Sequence, residues 1–280
     1  MRSYWFILVL LMVPLSELQA QFLPKAHFSG MYLQWGYNRE CFSRSDIHFF
    51  NGSEYDFTIH RAKASDKPDF EGLWQAPLDI SIPQYSYRIG IYLNRENTWA
   101  VEFNFDHAKY VVYDDQTLHI SGRLPGEAID RDTTISRQFL HFEHTDGANF
   151  FHLNYVHQHY LIEGRKFGRL SYILKGGAGV VIPRTDVTFL GQRLNNKFHV
   201  AGYIVSAEAG MRYYPLRNFF LEMNVKGGFA NYLNSLAIDG TGKASHHFWY
   251  GELVALAGYD LNLGHHRTRS VKKEMVDPSM

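Results

Sequence analysis

The chain has 280 residues, 45% of them hydrophobic, and its 28 basic and 28 acidic side chains leave no formal net charge. This excludes a disordered chain and an electrostatic nucleic-acid binder, and it supplies the core of one large domain or two small ones. Aromatic residues reach 16%, with 18 Tyr and 21 Phe, a proportion typical of proteins that meet a membrane interface.

Arg2, the uncharged run from Tyr4 to Leu15, and Leu18-Gln19-Ala20 predict an export signal over residues 1–20, with the mature chain starting at Gln21. That run is too short to cross a bilayer as a helix, and no second apolar run of about eighteen residues follows. The one cysteine, Cys41, cannot form an intramolecular disulfide. The protein therefore works in solution outside the cytoplasm or enters a membrane as strands.

Period-two alternation then recurs along the chain. SGMYLQWGYN sets Met31, Leu33, Trp35 and Tyr37 against Gly30, Gln34, Gly36 and Asn38, and PQYSYRIGIYL sets Tyr85, Tyr87, Ile89, Ile91 and Leu93 against Ser86, Arg88 and Gly90. TWAVEFNFDH opposes Trp99, Val101, Phe103 and Phe105 to Glu102, Asn104 and Asp106, and FFHLNYVHQHY opposes Phe151, Leu153 and Tyr155 to His152, Asn154 and Gln158. GRLSYILKGGAGVVIP, HVAGYIVSAEAGMRYY, NFFLEMNVKGGFANY and GELVALAGYDLNLG continue the pattern, making eight strands. Short turns at 94–97, 163–168 and 215–218 alternate with long connections at 39–83, 107–149, 183–198 and 233–247. This puts the short turns and both ends of the barrel on one side and the long loops on the other.

The predicted fold is all-β: a closed antiparallel up-and-down transmembrane β-barrel over residues 21–264, followed by a polar tail at 265–280. Asn51-Gly52-Ser53 reads as a hairpin turn, so two further strands above the membrane would make ten, or would form a surface hairpin. In such a barrel the apolar face meets lipid and the charges fill the interior. The expected lumen network is Arg88, Glu102, Asp106, Arg169, Lys175, Glu208, Arg212, Glu222, Lys226 and Glu252, with Asp260 on the same face. Alternation alone also fits a lipocalin-like soluble barrel with the faces inverted. The loop pattern, strand lengths and strand-end aromatics Trp35, Tyr37, Trp99, Tyr213, Phe219 and Tyr259 favour the membrane barrel.

Chemistry is sought in FLHFEHTDGANFFHLNY. Alternation continued upward from Leu153 puts His141, Glu143 and Thr145 on the lipid-facing side at the outer rim, where base, carboxylate and hydroxyl could form a nucleophile relay, with His144 as a second base. This local pattern resembles lipid A 3-O-deacylases, with Thr145 where that family has serine. The alternative reading is a polar rim where a strand enters a loop. The 15 histidines include the neighbours His246-His247 and His265-His266, which on a strand point opposite ways, so neither a metal site nor a cofactor is expected.

SDIHFFNGSEYDFTIHRAKASDKP, IPQYSYRIGIYLN, FEHTDGANFFHLNY, GAGVVIPRTDV and FHVAGYIVSAEAGMRYY together resemble a family of uncharacterised outer-membrane β-barrel proteins of Bacteroidota type. The resemblance implies the eight-stranded barrel and the cell surface, and supplies no activity. The expected protein is a monomer of a Gram-negative outer membrane with a structural or surface-binding role. Its partners would be membrane lipids, lipopolysaccharide and the barrel-assembly machinery. A lipid A acyl hydrolase and a small pore are the alternatives.

Overall fold

The computed structural model describes residues 28–69, 71, 75, 84–144, 147–164, 168–237 and 242–261. The expected export signal and polar tail lie outside the described residues. In chain order the strands are β1 (Gly30–Phe42), β2 (Ser45–Asn51), β3 (Tyr55–Ala62), β4 (Ala64–Ser65), β5 (Tyr85–Tyr92) and β6 (Trp99–Asp106). They continue with β7 (Tyr110–Val112), β8 (Thr117–Leu124), β9 (Glu127–Thr134), β10 (Leu140–His144), β11 (Phe150–Gly164) and β12 (Gly168–Val181). The last are β13 (Asp186–Phe189), β14 (Gln192–Asn195), β15 (Gly202–Tyr214), β16 (Phe219–Leu236) and β17 (Lys243–Leu261).

Eight of them, β1, β5, β6, β11, β12, β15, β16 and β17, form a ring of antiparallel neighbours that closes when β17 pairs with β1 from Met31–Leu261 to Phe42–Tyr250. These are the eight segments read from the alternation, and the ring has no place for a ninth or tenth. The β2–β3 hairpin, turning at Gly52 (φ 52°), attaches instead to the part of β17 that runs past the end of β1, where Lys243 to His246 pair with Phe50 to Ile47.

Register fixes the geometry of the ring. Followed from each residue to its paired neighbour, Phe219 leads through Tyr259, Leu33, Ile89, Phe103, Leu153, Ala178 and Val205 to Phe229, ten residues farther along β16. With residues about 3.3 Å and strands about 4.8 Å apart, that shift over eight strands tilts them about 40° from the barrel axis. Every side chain on this path points outward, and all are apolar or aromatic.

Outward aromatics recur at the same interval on three consecutive strands, as Tyr203 and Tyr213, Phe219 and Phe229, and Trp249 and Tyr259. Phe219 pairs directly with Tyr259, and Phe229 with Trp249, whose rings lie 5.1 Å apart. Between these rows the outward residues are Val205, Ala207, Ala209, Met211, Leu221, Met223, Val225, Gly227, Gly251, Leu253, Ala255 and Ala257, none of them charged. Val225, Met223 and Trp249 are among the most exposed apolar side chains. The charged face is the buried one, which is the reverse of a lipocalin.

The long connections are folded. Strands β2, β3, β8 and β9 extend the ring's sheet beyond β17, and β14, β13, β10, β7 and β4 form a second, five-stranded sheet. Ile47, Phe49, Phe57, Ile59, Ile120, Phe142, Val187 and Phe189 pack between them, in one apolar cluster with Phe150, Ile204, Tyr232 and Phe248 of the barrel's loop end. The loops thus make a cap with its own core, continuous with the barrel.

Close packing inside the ring depends on missing side chains. A Cβ on Gly90 would collide with the ring of Tyr32, which fills that space. Gly90→Val is expected to lower stability by about 1–3 kcal/mol. Combined with Tyr32→Ala it should cost less than the sum of the two single changes, as measured by urea unfolding in lipid.

Candidate functional site

The lumen is filled in three layers. At the short-turn end Tyr32, Tyr92, Tyr214 and Phe220 pack with Val156 and Ile173. The Arg212 guanidinium lies over the rings of Tyr32 and Phe220 at 4.7 and 4.2 Å, a cation–π arrangement strengthened by exclusion of water.

The middle layer is an ion network. Arg88 Nη1 is 2.6 Å from Glu208 and 3.3 Å from Glu102, and Arg88 Nη2 is 3.7 Å from Asp106. Lys175 Nζ bridges Glu102 at 2.9 Å and Glu222 at 2.8 Å, and Arg212 holds Glu222 at 2.6 Å. Lys226 pairs with Asp106 and lies 3.3 Å from Glu252. Neutral donors add to the ion pairs: Tyr32 Oη donates to Glu102 at 2.7 Å, Gln34 to Glu222 at 2.9 Å, and Asn104 to Asp106 at 2.9 Å. The loop-end layer is aromatic again, with Tyr250, Phe150, Phe248 and Tyr232 leading into the cap.

Nine of the ten network residues named from sequence meet in this layer. Arg169 stands apart at the short-turn rim, 4.1 Å over the Tyr214 ring and donating to the Arg217 carbonyl at 2.7 Å. Asp260 accepts from Tyr92 Oη at 2.7 Å at the same end. Glu40 was missed, because β1 runs four residues beyond the Asn38 limit read from sequence. It is buried in the lumen, where Gln84 Nε2 donates to it at 2.7 Å and Asn38 Nδ2 at 2.7 Å.

The candidate relay is arranged differently from its expectation. Residues 140–144 leave the barrel wall and form β10 of the cap, pairing with β13 and β7, so His141 and Glu143 do not face lipid. The expectation fails because alternation cannot be carried through 147–149, where Gly147 and Asn149 both have positive φ. Thr145 lies outside the described residues. His141 Nδ1 is 2.7 Å from Asp114, its Nε2 is 3.2 Å from Glu143, and Lys67 Nζ is 3.7 Å from Glu143. The Glu143 carboxylate, assisted by Asp114, raises the His141 pKa above the usual imidazole range.

His144 points into the opposite face of the sheet. Its Nδ1 meets Thr185 Oγ1 at 3.0 Å and its Nε2 meets His246 Nε2 at 3.2 Å, with the Tyr232 ring stacked on both imidazoles. Burial pushes the His144 pKa down to about 3, so the ring is neutral, and one imidazole of the pair donates while the other accepts. A general base needs a ring nitrogen free to take a proton. Both nitrogens of His144 are hydrogen-bonded, and those of His141 face the carboxylates of Asp114 and Glu143. His247, the sequence neighbour of His246, faces outward beside Phe229. Among the described residues no group of three His, Cys, Asp or Glu is placed to hold a metal ion.

No protein-family model and no curated protein matches the chain. Its fold resembles solved small bacterial outer-membrane barrels. Neisserial surface protein A shares 13% identity at a TM-score of 0.36, over 83% of this chain and 98% of that one. OprG from Pseudomonas aeruginosa shares 10% at 0.37, over 85% and 99%. Ail of Yersinia pestis, crystallised with the heparin analogue sucrose octasulfate, shares 14% at 0.32, over 84% and 100%. At these scores the likeness stops at the architectural class.

Two outcomes follow from these geometries. Lys226→Met leaves Asp106 and Glu252 without their shared cation and should cost about 3–5 kcal/mol, read from urea midpoints. In the cap, the two histidines act in opposite directions with pH. The His141 contribution is complete below about pH 6.5 and is lost as pH rises through its raised pKa. The His144 contribution is complete above about pH 6.5 and falls as pH drops towards its lowered one. Amide protection of β10 should therefore fall on both sides, with His141→Asn flattening the alkaline limb and His144→Phe the acid limb.

Proposed function

We propose that the protein is a small monomeric barrel of a bacterial outer membrane, exported by its N-terminal signal. Its lumen is sealed and its folded cap stands on the cell surface, giving it a structural or surface-binding role. The observation that carries this reading is the ten-residue spacing of outward aromatics on β15, β16 and β17. At about 3.3 Å per residue and about 40° of tilt, ten residues rise about 25 Å along the axis, the height of the apolar band of outer-membrane barrels. The band between the rows carries no charge, and the rows themselves match interfacial girdles.

Lipid and lipopolysaccharide would surround this band, and the assembly machinery would meet the chain during insertion. The motif resemblance to the Bacteroidota-type family agrees with this location. The acyl-hydrolase alternative is disfavoured by the hydrogen-bonded nitrogens of His144, by the two carboxylates that His141 faces, and by the pairing of β10 within the cap sheet in place of the lipid-facing wall. The pore alternative is disfavoured by the three packed layers.

Met223→Arg, near the middle of the band, should cost about 2–4 kcal/mol of stability in lipid and reduce insertion. Lipid A from a Gram-negative host expressing the protein should be unchanged by mass spectrometry, and planar bilayers containing it should show no steady conductance. Loss of an acyl chain would instead support the hydrolase, and open-channel steps the pore.

A further inference from the structure

The extended sheet ends on β9, and among the described residues nothing pairs with its outer edge. This edge is eight residues long, against four for β14 and two for β4, the end strands of the five-stranded sheet. The two-residue turn Pro125-Gly126 determines which backbone groups are free. Leu124 and Glu127 flank it as a hydrogen-bonded pair, so Glu127, Ile129, Arg131 and Thr133 direct their backbone groups toward β8. The same parity appears past the strand end, where Ile135 donates to Gln116 and accepts from Asp115. Ala128, Asp130, Asp132 and Thr134 therefore direct theirs outward.

Those four residues also put their side chains on the face opposite buried Ile129, and two of them are carboxylates. Asp130 and Asp132 are largely exposed and flank His119 at 3.0 and 3.1 Å. A strand added at this edge would set its own outward residues directly opposite both acids. Lys or Arg at alternate positions would satisfy them, and acidic residues there would be repelled. A second copy of β9 fits poorly, because in antiparallel pairing it brings aspartate against aspartate.

We infer that β9 takes up an extended segment of a partner protein, basic at every second residue, as an added strand. Main-chain bonds would supply the affinity and the two aspartates the sequence preference. The inference rests on the proposed surface location of the cap.

The test uses the full chain in lipid nanodiscs and a synthetic peptide of alternating Thr and Lys, with a Thr-Glu peptide as control. The Thr-Lys peptide should bind and slow amide exchange at Ala128, Asp130, Asp132 and Thr134, and the Thr-Glu peptide should not. Asp130→Asn with Asp132→Asn should weaken binding at least tenfold. So should Asp132→Pro, which removes an outward N–H and leaves the β8 bonds intact, as unchanged exchange at Ile129 and Arg131 would verify. Binding insensitive to Asp132→Pro would reduce the edge to a charge patch and overturn the inference. So would an edge already protected without peptide. Labelling of cap lysines on intact cells separates the two readings. A labelled cap that binds no peptide defeats the added strand alone, whereas an unlabelled cap on a folded, inserted barrel defeats the surface location.

Discussion

Closure of one sheet on itself with a ten-residue shift is the constraint on which the molecule depends. It pairs the backbone all round the ring without leaving an edge in the apolar band, which is what hydrocarbon demands of a strand-built segment. The same shift sets the tilt, the tilt sets how much strand is needed to cross, and the strand length places Phe219 and Phe229 at opposite ends of the crossing. Since side chains alternate, closure also forces Glu222, Asn224 and Lys226 into the interior whenever Leu221, Met223 and Val225 face out.

What fills the interior follows from its narrowness. An eight-stranded ring has room for side chains and little else. Long ionic side chains reach across it, so Arg88 on β5 meets Glu208 on β15, and Lys175 on β12 meets Glu222 on β16. These pairs tie together strands that are not neighbours in the ring. Their contribution is to hold one particular packing, since burying ions gives little net stability by itself. Aromatic layers on both sides keep water from the ions, and the loop-end layer merges with the cap core through Tyr232 and Phe248. Barrel and cap are therefore one folded unit.

The barrel was legible in the sequence because its signal is local. Each strand shows period-two alternation, and the alternation of short and long connections orders the strands. Less legible was the inward set of large aromatics, since Tyr32, Tyr92, Tyr214 and Phe220 break the rule that apolar residues face lipid. Tyr32 and Phe220 fill space that Gly90 and Gly258 leave empty, a complementarity between strands that no single segment displays. The cap was illegible except for the β2–β3 hairpin. Strands as short as Tyr110–Val112 and Asp186–Phe189 carry too few residues for periodicity, and their partners are distant in sequence. His141 and Glu143 were misplaced for the same reason, since the chain leaves the wall before reaching them.

Alternating accessibility along β16 tests the central claim most directly. In a Cys41→Ser background, single cysteines from Phe220 to Ala230 would be labelled with a fluorophore in bilayers containing brominated lipid. The account predicts strong quenching at 221, 223, 225 and 227, deepest near 223 and 225, and weak quenching at 222, 224 and 226. Uniformly weak quenching, or quenching strongest at 222, 224 and 226, would contradict it.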